Sequence, residues 1–97
     1  MMFLVVLRRS GPEYDHSKPL EEQSGWLDHA AFMDGLVDDG FIVLGGPLAD
    51  GERVLMAIDA ADEREIEARF DADPWRPMEL FVTAKVEPWE ILLDGRV

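Results

Sequence analysis

The residues with the clearest capacity for chemistry are a histidine, His29, and an aspartate set directly before a proline, Asp73-Pro74. An imidazole can take or give a proton near neutral pH. A carboxylate beside it fixes its tautomer and stabilises its cation. At about 100° per residue, His29 falls on one arc with Trp26, Ala30, Phe32, Met33, Leu36 and Val37. Asp28, Asp34, Asp38 and Asp39 fall outside that arc. An imidazole therefore stands where a leucine would pack. It is either a core histidine whose nitrogens the protein satisfies, or the floor of a pocket. Asp73 has two readings as well. Pro74 pushes it into extended backbone, where it can cap a turn or meet an imidazole.

Other candidates are weaker. His16 stands beside Tyr14 and Asp15 in a polar stretch. His16, Asp15 and His29 have a generic spacing, and we expect no metal site. Gly45-Gly46-Pro47 is either a strand end or a place where backbone approaches a ligand closely. Trp26, Trp75 and Trp89 either line an aromatic pocket or pack. The chain has no phosphate-cradling glycine loop, no Gly-x-Ser-x-Gly and no His-x-x-x-His. With no cysteine, disulfides, thiol nucleophiles and thiolate metal sites are excluded.

Several elements must position these residues. Residues 2–7 are continuously apolar and read as a strand buried on both faces. They lack the basic start and cleavage site of a signal peptide. Residues 8–19 hold Gly11, Pro12 and Pro19 among polar side chains and read as a long loop at the pocket mouth. A helix is expected from Pro19 or Leu20 to Asp39, with Ser17 as N-cap, Gly25 tightening its start and Gly40 as its stop. Residues 41–45 form a second strand, Asp50-Gly51 a hairpin turn and 53–58 a third strand. Asp59 is the expected cap of a second helix that ends before Pro74. Residues 78–89 alternate, with Met78, Leu80, Val82, Ala84 and Val86 on one face and Phe81 on the other. The order β-α-β-β-α-β predicts an α+β ferredoxin-like plait over residues 1–97 as one domain. Its antiparallel sheet carries both helices on one face. Apolar strands on both faces then call for a second copy, sheet against sheet.

Charge narrows the function. Twenty-one acidic and nine basic side chains give a net charge of −12; Arg8-Arg9 is the only basic pair, and there is no basic stripe to displace counterions from nucleic acid. No apolar run approaches a membrane span, and the expectation is a cytoplasmic protein that binds neither nucleic acid nor membrane.

The spacing of these signals carries a resemblance. His29, Gly40, Gly46-Pro47, a hairpin, a short acidic helix and Asp71-Ala72-Asp73-Pro74-Trp75 together are similar to the pattern of the YCII-related (YciI-like) family, over about residues 2–86. The resemblance implies a homodimer of the dimeric α/β-barrel type. It also implies a pocket centred on His29 and Asp73. Beside them we take Gly46, Pro47, Pro74, Trp75 and Tyr14 as substrate-binding candidates. The resemblance implies cofactor-free lyase or isomerase chemistry, such as dehydrochlorination of a small cyclic hydroxylated compound. The other reading is a non-catalytic module that binds a small molecule, or a structural dimer. Whether the chain is an enzyme stays open at this point.

Overall fold

The computed structural model describes residues 1–9, 13–78 and 80–96. Ser10, Gly11 and Pro12 of the expected loop, Glu79 of the expected last strand, and Val97 lie outside the described residues. The elements run β1 (Met2–Arg8), a 3₁₀ turn (Leu20–Glu22), α1 (Trp26–Asp38), β2 (Ile42–Pro47), β3 (Arg53–Asp59), α2 (Glu63–Asp71) and β4 (Val82–Pro88). The strands lie in the order β2-β3-β1-β4, and each neighbouring pair is antiparallel. This is the ferredoxin-like plait.

Alternation along β1 decides which face is the core. Phe3, Val5 and Leu7 join Leu36 of α1 with Ile66 and Phe70 of α2 in one buried cluster, so both helices cover the same face. Val5, Ile58 and Ile66 are completely buried. Each such side chain contributes about 1.5–3 kcal/mol by leaving water. Leu4 and Val6 point the other way and are only half-buried. Leu55, paired with Val6, and the exposed Leu44, paired with Ala57, share that open face.

Local chemistry moved several boundaries. The first helix does not start at Leu20. The 3₁₀ turn gives way at Gly25, which sits in the left-handed region at φ 73°, and α1 begins only at Trp26. Ser17 caps nothing. Its hydroxyl and N–H both donate to the Asp15 carboxylate, which holds that carboxyl below its usual range. Asp59 stays in β3 because its N–H and that of Ala60 still find carbonyls at the residues just before β2 and β1, on Phe41 and Met1. Asp62 therefore caps α2, accepting from the Glu65 N–H at 2.9 Å. The hairpin forms where expected. The Asp50 carboxylate accepts from the backbone N–H and then the guanidinium of Arg53, and from the Glu52 N–H. Those bonds hold it well below the usual carboxylate range.

The largest correction falls on the last strand. Val6 pairs with Lys85 but Leu7 pairs with Thr83, so Ala84 is an extra residue in a bulge. A bulge of one residue inverts the side-chain phase on its far side. Val86 stays on the core face opposite Val5, but before the bulge Phe81 packs against the core while Val82 is exposed. Simple alternation had assigned those two side chains the opposite way. Among the described residues, no helix is long and apolar enough to cross a membrane.

Candidate functional site

His29 lies one turn into α1, and Asp73 lies just beyond α2. Their side chains meet over β1. His29 Nδ1 is 2.9 Å from both Asp73 Oδ1 and Oδ2. Both groups are more than nine-tenths buried, at 4% and 6% exposure. A carboxylate on Nδ1 makes that nitrogen the proton-bearing one in the neutral ring. Nε2 has no hydrogen-bond partner among the described residues, and the ring borders a cavity. It is the nitrogen left to the cavity.

Asp73 performs both roles its sequence context allowed. Its Oδ1 accepts from the Trp75 N–H at 2.9 Å, the turn cap that a residue before proline readily makes. The same carboxylate holds the imidazole. The cap fixes the carboxylate's direction, and the fixed carboxylate then fixes the ring.

Trp75 supplies the second constraint. Its indole is completely buried and stacks on the His29 imidazole, with centroids 3.9 Å apart and planes 2° from parallel. Such a pair adds about 0.5–1.5 kcal/mol beyond area burial. The indole is itself held, since its Nε1–H donates to the Ser24 carbonyl at 2.8 Å. Phe81 lies tilted against both rings, 5.2 Å from His29 and 5.0 Å from Trp75. Trp26 closes the other side, 5.9 Å from each.

The cavity has a volume of about 260 Å³. Trp26, His29 and Met33 of α1 form one wall, and Gly46, Pro47 and Val54 of the β2–β3 hairpin form the opposite one. At Gly45 a Cβ would sit 2.9 Å from Met56 Cγ, so any larger residue here would force the Met56 side chain to shift. Leu7, Arg9 and Phe81 form the remaining wall. A much smaller cavity of about 10 Å³ lies behind, bordered by Asp73, Trp75, Phe81 and Thr83.

The residues singled out in the sequence divide cleanly. His29, Asp73 and Trp75 come together, but the substrate-binding candidate Trp75 is completely buried and, like Asp73, does not border the cavity of about 260 Å³; His29, Gly46 and Pro47 do. Pro74 and Tyr14 do not border it. Tyr14 is buried behind the site, packed with Trp75 and Leu80. The long loop contributes Arg9 to the cavity wall and the 3₁₀ turn after it contributes Leu20, while Asp15 and His16 are exposed. His16 meets Tyr14 ring to ring at 4.9 Å. Among the described residues, no group of three or more His, Asp or Glu gathers as metal ligands would.

Three contributors escaped the sequence reading. Phe81 was hidden by the bulge. Arg9 was counted only as half of a basic pair. Gln23 was unremarked, yet its buried amide ties the loop together. It donates to the carbonyls of Asp15 at 2.7 Å and Lys18 at 3.0 Å, and accepts from the Asp15 N–H at 3.0 Å. Its place on a break between turn and helix carries no periodic signal.

No family model matches the chain, and no curated protein matches it. Among solved structures it resembles 5-chloro-2-hydroxyhydroquinone dehydrochlorinase (TftG) from Burkholderia phenoliruptrix AC1100, determined in complex with 2,5-dihydroxybenzoquinone. The likeness spans 93% of this chain and 94% of that one, at a TM-score of 0.66 and 25% sequence identity. The two chains share a fold over nearly their whole length.

The seating of Trp75 yields a test. A Cβ on Gly25 would lie 3.2 Å from Trp75 Nε1, on a backbone at φ 73°. Gly25→Ala should cost about 1–2 kcal/mol from the left-handed backbone alone. Urea denaturation should show that loss, together with a changed tryptophan fluorescence. Wild-type stability and spectrum would contradict the seating described.

Proposed function

We propose that this protein is a YCII-related lyase or isomerase that transfers a proton on a small, cyclic, hydroxylated molecule held in the His29 cavity. The observation carrying this reading is the His29–Asp73 pair, with Nδ1 engaged and Nε2 left to the cavity. In the neutral ring, Nε2 takes a proton from a substrate O–H or C–H. The Asp73 carboxylate stabilises the imidazolium that results. In an elimination, the electron pair released by that proton expels a leaving group from the substrate. In an isomerisation, the same nitrogen returns the proton to another atom. Stacking on Trp75 keeps the ring in one orientation throughout.

The fold likeness supports the reaction class. The similar structure is that of a dehydrochlorinase bound to a hydroxylated quinone. A cavity of about 260 Å³, walled mostly by apolar side chains, suits a single-ring molecule.

The protein works as a homodimer, through the open face of the sheet. Leu4, Val6 and Leu55 are half-buried there and Leu44 is more than half exposed, and among the described residues no helix covers them. A second copy placed face to face would bury the same patch on both partners, as a two-fold interface requires.

Turnover of 2,5-dihydroxybenzoquinone, 5-chloro-2-hydroxyhydroquinone and a set of hydroxylated aromatics and lactones tests the chemistry. His29→Leu should keep the fold, because leucine suits the apolar face, and lower any turnover by about 10²–10⁴-fold. Asp73→Asn should also slow turnover, because an amide cannot stabilise the imidazolium. Undiminished turnover in His29→Leu would sink the proposal. Binding without turnover in the wild type would favour a non-catalytic carrier. Light scattering tests the dimer: the mass should be twice 11.0 kDa and should fall to that of one chain in Val6→Glu. A wild-type monomer at micromolar concentration would overturn the sheet-to-sheet assembly.

A further inference from the structure

Arg8 and Arg9 are neighbours with opposite fates. Arg8 is exposed and reaches the Glu52 carboxylate at 3.6 Å. Arg9 turns inward, is 7% exposed, and borders the same cavity as His29. Its backbone N–H is bonded to the Glu52 carbonyl at 2.7 Å, which fixes where the side chain starts.

The guanidinium is poorly matched by the protein. Nη1 reaches the Gly51 carbonyl at a stretched 3.5 Å. Nε is buried with no partner among the described residues. No carboxylate of the described residues lies within 4.0 Å of it; Glu52, whose carbonyl accepts from the Arg9 N–H, turns its carboxylate to Arg8. Asp34 borders the cavity but is exposed to water. A guanidinium does not shed its proton, so this cavity carries a fixed positive charge. A buried cation without a counter-charge costs several kcal/mol. A charge kept at that cost needs a matching anion, and the space beside it is a cavity whose other walls are mostly apolar, with His29 and the water-exposed Asp34 as the remaining polar side chains.

We propose that Arg9 is the anion-binding residue of the cavity, and that the ligand is a small ring compound carrying an anionic oxygen, a carboxylate or an ionised ring hydroxyl. The planar fork of donors suits two adjacent oxygens. The chain's net charge of −12 repels anions at long range, so selection of one needs a fixed local cation. This rests on reading the cavity as the ligand site, but not on His29 acting as a base.

The test uses benzoate, salicylate and 4-hydroxybenzoate against their uncharged amides, with binding followed by NMR at millimolar ligand. In the wild type, the acids should bind at least tenfold more tightly than the amides and should shift the Arg9 Nε–H signal. Arg9→Gln should erase that preference and Arg9→Lys should keep part of it. The wild-type acid preference should be present whether or not turnover falls in His29→Leu, which separates this inference from the proton-transfer reading. Acids binding no better than amides in the wild type would overturn it. So would an unmoved Arg9 signal, or a preference that survives in Arg9→Gln. If Arg9→Gln fails to fold, the wild-type signal and Arg9→Lys still decide. Loss of turnover in His29→Leu without any acid preference would sink the role of Arg9 alone.

Discussion

A buried imidazole and a buried carboxylate, bonded at 2.9 Å, hold the two helical halves of this molecule to one another. Neither group could stay buried alone, because an isolated polar or charged group in the interior costs several kcal/mol. Each satisfies the other. The pairing therefore dictates how α1, which bears His29, sits relative to the turn after α2, which bears Asp73. Trp75 extends the constraint. It stacks on the imidazole, receives a cap from Asp73 through its N–H, and is anchored to Ser24 through its indole. One residue thus ties the start of α1, the end of α2 and the histidine itself into a unit.

That unit fixes the ring on several sides, and a fixed ring is what the proposed proton transfer would require. The ring is held on its Nδ1 edge by Asp73 and on one face by Trp75. What remains is the Nε2 edge and a cavity of about 260 Å³. The wall formed by Gly46, Pro47 and Val54 includes a glycine, where the strand has no side chain to occupy the space. Reaction geometry improves when the catalytic group needs no reorganisation. The stacked, capped histidine fits that demand better than a core histidine would, since a core histidine would have both nitrogens satisfied by the protein.

Much of this was legible in the sequence, for stateable reasons. Element order followed from apolar runs and from Gly40, Asp50-Gly51 and Pro74, whose backbone preferences are strong. The inward face of His29 followed from helical periodicity. The freedom of Asp73 followed from the proline after it. What could not be read depends on spacing that only pairing creates. The bulge at Ala84 is invisible to alternation, so Phe81 was assigned to the wrong face and missed as a wall of the site. The cap of α2 moved from Asp59 to Asp62 because strand pairing outcompeted helix initiation over three residues. Arg9 looked like half of a basic pair. Its burial depends on β1 ending with the alternation that carried Leu7 inward.

The central claim is that Nε2 of His29, backed by Asp73, faces a ligand. A crystal structure with salicylate soaked into the cavity tests it most directly. The account predicts a ligand oxygen or ring hydrogen within hydrogen-bond reach of Nε2, with Asp73 still on Nδ1 and Trp75 still stacked. An imidazole sealed from the ligand, or a ligand bound elsewhere with the cavity closed by side chains, would contradict it.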